Sequence, residues 1–200
     1  MKHLPTALVY SRLLLGGLLV LLSYWRVGHF AALAVGLITA GLLTDIFDGI
    51  LARHLGVSTQ KLRRLDSTVD QVFWVAVLAA IWLAAPAFFA RHAAPLLALL
   101  GLETLTYAVS FLKFGREIAT HTWGAKAWVL VSFAALLQLI ITGEAGTLFW
   151  VSFGLGVLSR LEIVGILLVL RQWTSDVPTL YHAGRLRRGR PIRRYKLLNG

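Results

Sequence analysis

The chain has 200 residues, a length that suits one domain, and 58% of them are hydrophobic against 14% charged. That balance, with a mean hydropathy of +0.73, excludes an ordinary soluble globule and points to an all-α integral membrane protein. The absence of cysteine excludes a disulfide framework and thiolate metal sites, and the net charge of +11 fits topogenic loops beside anionic lipid headgroups better than it fits nucleic acid.

Crossing the hydrocarbon takes about 20 mostly apolar residues as a helix, and six stretches qualify. The first, Ala7–Trp25, has the basic start and apolar core of a signal peptide. No small-x-small cleavage site follows it, and Tyr24, Trp25 and Arg26 resemble an interfacial belt, so it reads as a retained helix. Phe30–Arg53, Asp66–Ala85, Pro95–Phe114, Gly124–Thr142 and Thr147–Arg171 follow. Short connections predict antiparallel neighbours. Gly36 and Ala40, and Gly154 and Gly156, are small enough to permit close helix approach. From Thr174 the chain turns polar, and Pro178 and Pro191 disfavour one long helix there. The expected division is a six-helix transmembrane domain over residues 1–173 and a basic cytoplasmic tail over 174–200.

Sixteen of the 20 basic residues fall on one side of that topology: Lys2, Arg53, Lys61, Arg63, Arg64, Lys113, Arg116, Lys126 and eight from Arg171 onward. Arg26 and Arg91 lie on the other side, and Arg12 and Arg160 lie within spans. This bias predicts both termini in the cytoplasm, with the cell membrane the expected location.

Only nine residues are acidic, and four of them, Asp45, Asp48, Asp66 and Asp70, lie in the stretch TDIFDGILARHLGVSTQKLRRLDSTVDQVFW. Spacings of three and four put each pair on one helix face, with Gly49 and Ala52 extending the first stripe. A hairpin between the second and third spans brings the two acidic faces together near the cytoplasmic end. Four converging carboxylates repel, and relief comes from protonation or from cations. Two divalent cations would neutralise four carboxylates, and an all-oxygen donor set suits Mg²⁺ or Mn²⁺. Such a pair is the clamp of phosphoryl chemistry. Salt bridges to Arg53, Arg63 or Arg64 explain one or two of the aspartates but poorly explain all four, and intramembrane carboxylates are functional candidates by default.

The run Asp45-x2-Asp48-Gly49-x2-Ala52-Arg53-x12-Asp66-x3-Asp70 resembles the signature of the CDP-alcohol phosphotransferase (CDP-alcohol phosphatidyltransferase) family, D-x2-D-G-x2-A-R-x8-G-x3-D-x3-D. Seven of its eight fixed positions match in type and spacing. The resemblance implies transfer of a phosphatidyl or related phosphoryl group from a CDP-linked lipid donor to a small alcohol, with release of CMP, in phospholipid biosynthesis. By the same resemblance Asp45, Asp48, Asp66 and Asp70 are the metal set, Asp70 is also the general base, and Gly49, Ala52 and Arg53 receive the CDP moiety. A homodimer is expected on the same ground. One position departs: Leu62 stands where the family has its second glycine, and Gly56 is six residues out of place.

The opening LPTALVYSRLLLG loosely resembles the family's Pro-Asn-x-Leu-Thr-x-x-Arg, with Pro5, Leu8 and Arg12 in register. Arg12 reads either as an acceptor or lipid-phosphate contact or as a snorkelling interfacial arginine. In KFGREIATHTWGAK, Lys113, Arg116, His121 and Lys126 could hold a phosphorylated acceptor or form an ordinary positive-inside loop. Glu103, Arg160 and Glu162 either pair between helices or line an acceptor pocket. The tail GRLRRGRPIRRYK carries no nucleic-acid reading motif and fits adhesion to anionic lipids or topogenesis. Two other functions compete with the enzyme. A catalytically inactive scaffold is kept open by Leu62. A cation transporter would spread its acidic residues through the membrane depth and leaves Gly49, Ala52 and Arg53 unexplained.

Overall fold

A computed structural model describes residues 3–57, 59–118 and 122–192, with the side chain of residue 63 left aside. Among the described residues there are eight helices and no strand. They are α1 (Leu4–Tyr24), α2 (Phe30–His54), α3 (Gln60–Ala84), α4 (Pro86–Arg91), α5 (Ala93–Phe114), α6 (Trp123–Thr142), α7 (Thr147–Val169) and α8 (Leu180–Arg187). Six of these (α1, α2, α3, α5, α6 and α7) are long and apolar enough to cross a membrane. The six expected spans are therefore present. The largest boundary difference is at α3, which begins at Gln60 and not at Asp66. Its first turns are polar, so an apolar-run criterion misses them, whereas Thr59 marks the start by accepting a hydrogen bond from the Leu62 N–H at 3.2 Å.

The backbone divides into two compact units, Met1–Ala90 with Ile140–Gly143, and Arg91–Leu139 with Glu144–Gly200. In the first, α1 packs along both α2 and α3. Pro5 sits in the first turn of α1, where its missing N–H costs nothing. The buried residues of α1 are Pro5, Val9, Arg12, Gly16, Leu19 and Ser23, spaced alternately four and three apart along one stripe. The buried stripe of α2 runs through Ala34, Ile38, Gly41, Asp48 and Ala52, and Asp45 falls on it between Gly41 and Asp48. On α3, Val69, Phe73, Val77, Ala80 and Ile81 are buried.

Small residues set the helix approach in this unit. A methyl group on Gly16 would lie 3.1 Å from Ala76 Cβ, and one on Gly41 would enter the Phe73 ring. Gly36, by contrast, has open space around it, so the close approach comes five residues further along α2, at Gly41. At the end of α1, Ser23 Oγ donates to the Ala80 carbonyl of α3 at 2.6 Å. The α2–α3 hairpin is stopped by Gly56 at φ +66°. The Val57 N–H returns to the Ala52 carbonyl at 3.0 Å and the Gly56 N–H to Arg53 at 3.3 Å. This is the Schellman pattern, and it needs the left-handed residue that glycine supplies.

In the second unit α5 and α7 pack side by side. Arg160 on α7 pairs with Glu103 on α5 and lies 4.1 Å from the centroid of Trp128 on α6. Of the two uses open to these charges, the interhelical pair is present. Gly156 faces Trp128 and Leu99, with no room for a methyl, whereas Gly154 faces open space. Lys113 Nζ donates to the carbonyls of Leu167 and Leu168 at 2.8 and 2.7 Å, satisfying the C-terminal end of α7. Beyond residue 174 the chain folds back: Val177 and Ala183 are buried with Ile166 and Leu170.

Candidate functional site

The second turn from the end of α2, the second turn of α3 and the N-terminal half of α1 meet in one cluster. Asp48 lies six residues before the end of α2 and Asp66 six residues after the start of α3, roughly 9 Å into each helix at about 1.5 Å per residue. The hairpin thus sets both pairs at one depth. Carboxylate oxygens of Asp45, Asp48 and Asp66 lie within 4.8 Å of one another.

The centre of the cluster is Arg12. Its Nη1 donates to Asp45 Oδ1 at 2.5 Å and to Asp70 Oδ1 at 3.3 Å. Its Nη2 donates to Asp48 Oδ2 at 2.6 Å and to Asp66 Oδ1. Both terminal nitrogens of a fully buried guanidinium therefore serve four carboxylates on two other helices. Its Nε is buried with no acceptor among the described residues. Three of the four carboxylates are partly open to solvent. The side chains of Asp45, Asp66 and Asp70 are 38, 35 and 36% exposed, against 5% for Asp48 and 0% for Arg12.

Chemically, this is a set of hard oxygen donors converging on positive charge at one end of the α1–α3 unit. Three carboxylates within bridging distance and partly open to the outside fit a hard divalent cation such as Mg²⁺ or Mn²⁺. Each carboxylate has a second oxygen beyond the one that meets Arg12.

The remaining sequence candidates are distributed as follows. Ala52 is buried on the inward stripe of α2, one turn past Asp48. Arg53 is exposed and folds back over Gly49, where an added methyl would stand 3.5 Å from its Nη1. Gly49 thus leaves bare backbone beneath the arginine. Leu62 lies in the first turn of α3, and Gly56 serves the α2 terminus, so neither stands in for the other. Arg116 and Lys126 belong to the second unit. The Arg116 guanidinium lies 5.2 Å from the centroid of the Trp173 ring, and Lys126 is in the first turn of α6. His121 lies outside the described residues.

The sequence alone suggests Arg12 as an acceptor contact or a snorkelling residue, and its part in the cluster is not visible there. The signal that could have found it is the stripe Pro5, Val9, Arg12, Gly16, Leu19, Ser23, whose small and polar members mark the packed face of a helix that is apolar all round.

Comparison with curated proteins and with solved structures returns no match. The sequence model of the CDP-alcohol phosphatidyltransferase family matches residues 2–158, which contain the whole Arg12–aspartate cluster. With the all-helical membrane architecture and the intact acidic constellation beside it, that match decides the assignment: the chain belongs to the CDP-alcohol phosphatidyltransferase family.

Proposed function

We propose that the protein transfers a phosphatidyl group from CDP-diacylglycerol to a small alcohol, releasing CMP, as a step of phospholipid synthesis at the cytoplasmic face of the cell membrane. The observation that carries this reading is the convergence of Asp45, Asp48, Asp66 and Asp70 at one end of the α1–α3 unit, within the span matched by the family. The one-sided basic residues support the cytoplasmic placement.

In this reading the four aspartates hold two divalent cations, Mg²⁺ or Mn²⁺. Such cations polarise the donor's diphosphate and neutralise the charge that develops on the departing phosphate. Asp70, partly exposed at the mouth of the cluster, accepts the proton of the acceptor hydroxyl. The hydroxyl oxygen bonds to the lipid-side phosphorus, the phosphoanhydride bond of the donor breaks, and CMP carries away the bridging oxygen. Arg53 presents a planar fork to the donor's phosphates, and Gly49 lets them approach the α2 backbone. Ala52 keeps the adjoining turn of α2 slim. Arg116 and Lys126 are proposed to bind a phosphorylated acceptor, and the active protein is proposed to be a homodimer.

The test is CMP release by purified protein from CDP-diacylglycerol with Mg²⁺ or Mn²⁺ and a panel of acceptor alcohols, phosphorylated and not. Release that needs the cation and one acceptor, and is lost in Asp70→Asn, supports the enzyme. Donor binding without turnover on any acceptor supports an inactive scaffold instead.

A further inference from the structure

Arg12 supplies a fixed positive charge where the proposed function places mobile ones. We propose that Arg12 is a resident counter-ion: it holds the four aspartates together when no divalent cation is bound, and it opposes cation binding by sharing their carboxylates. The inference rests on the cation-binding reading above.

Three observations carry it. The first is the number of partners. One guanidinium meets four carboxylates from α2 and α3, one oxygen each. No surface ion pair would gather four acidic side chains in this way, and without a cation their mutual repulsion would drive the helices apart. The second is the difference in exposure. Arg12 is fully buried, while three of its four partners are open by about a third. The positive charge is therefore shielded from solvent, while three of the carboxylates remain accessible to incoming cations. The third is the incomplete satisfaction of Arg12 itself, whose buried Nε has no acceptor among the described residues. Its placement follows the carboxylates and not hydrogen bonding of all its nitrogens by the described residues.

Like charges at such short range repel, so a bound divalent cation raises the energy of Arg12 in its present place, and Arg12 lowers the affinity for the cation. The consequence is a site that stays assembled without cations and binds them less tightly than the carboxylates alone would. Arg12 is thus a positioning residue, acting on the reaction through the aspartates.

The test compares wild type, Arg12→Lys and Arg12→Gln, purified in detergent, by Mn²⁺ titration and by thermal unfolding with chelator or with saturating Mn²⁺. Mn²⁺ affinity is expected to rise from wild type through Arg12→Lys to Arg12→Gln, the last binding about tenfold tighter than the first, or about 1.4 kcal/mol. In chelator Arg12→Gln melts below wild type, and Mn²⁺ raises its midpoint by more than it raises that of wild type. If Arg12→Gln is folded only in Mn²⁺, that dependence is itself the expected result. If it does not fold at all, the order of wild type and Arg12→Lys decides. Equal or weaker Mn²⁺ binding by the variants overturns the opposition between Arg12 and cations while leaving the cation site standing. No Mn²⁺ binding by any of the three overturns the cation reading and this inference with it.

Discussion

Arg12 and Asp48 form the buried heart of the cluster, with Nη2 2.6 Å from Oδ2 and both side chains almost closed to solvent. The other three aspartates are partly open, so the four ion pairs are unequal in their contribution to stability. Removing Asp48 takes away the one buried carboxylate of the four, and with it a charge-assisted hydrogen bond from Nη2 that no solvent replaces, a loss of about 1.5–3 kcal/mol. Asp48→Ala is expected to lower the unfolding midpoint strongly, whereas Asp45→Ala, whose pair is screened by solvent, should cost about 1 kcal/mol or less. Thermal unfolding of the two variants in one detergent, in chelator, checks the order.

Asp70 makes the longest contact with Arg12, 3.3 Å, from a partly exposed position. Asp70→Asn keeps the shape and removes the base. It should leave the melting midpoint near that of wild type and reduce kcat about 10²-fold or more, the usual worth of a positioned general base. CMP release measured beside unfolding separates the two effects.

Gly41 on α2 faces the ring of Phe73 with no space for a methyl, while Gly36 faces none of the neighbouring helices. Gly41→Ala should destabilise by about 1–3 kcal/mol, since the ring must leave its seat. Gly36→Ala should be neutral or slightly stabilising, because alanine is the better helix former. Because Gly41 is one turn from Asp45, the first variant should also weaken Mn²⁺ binding.

Leu62 occupies the position of the family's second glycine, in the first turn of α3. Leu62→Gly should cost about 1 kcal/mol in helix propensity. It should also lower KM for the CDP-linked donor, because it bares backbone where the family keeps it bare. Donor KM and unfolding midpoint, read together, check both directions.

The aspartates were legible in the sequence because spacings of three and four have one geometric meaning on a helix, and because acidic residues are scarce in this chain. The spans were legible from length and hydropathy. Arg12 was harder to place because α1 is apolar on every side, so hydropathy does not reveal which face is packed. Its inward stripe appears only through Gly16 and Ser23, residues chosen for size and hydrogen bonding. The early start of α3 depends on Thr59, a capping signal within polar sequence. The short helices α4 and α8 lie below the length of a span, and α8 is polar enough that its buried Ala183 gives little warning.

The Ser23–Ala80 hydrogen bond lies eleven residues beyond Arg12 on the same face of α1, about 17 Å along the axis. With ionic contacts at one level and a hydroxyl anchor at the other, α1 is a strut fixed at two points. A rod held at one point can pivot, but a rod held at two can only move with its frame. The two contacts lock α1 to α3 both along the axis and in crossing direction, so the level of Arg12 relative to the α3 carboxylates is set within the protein itself.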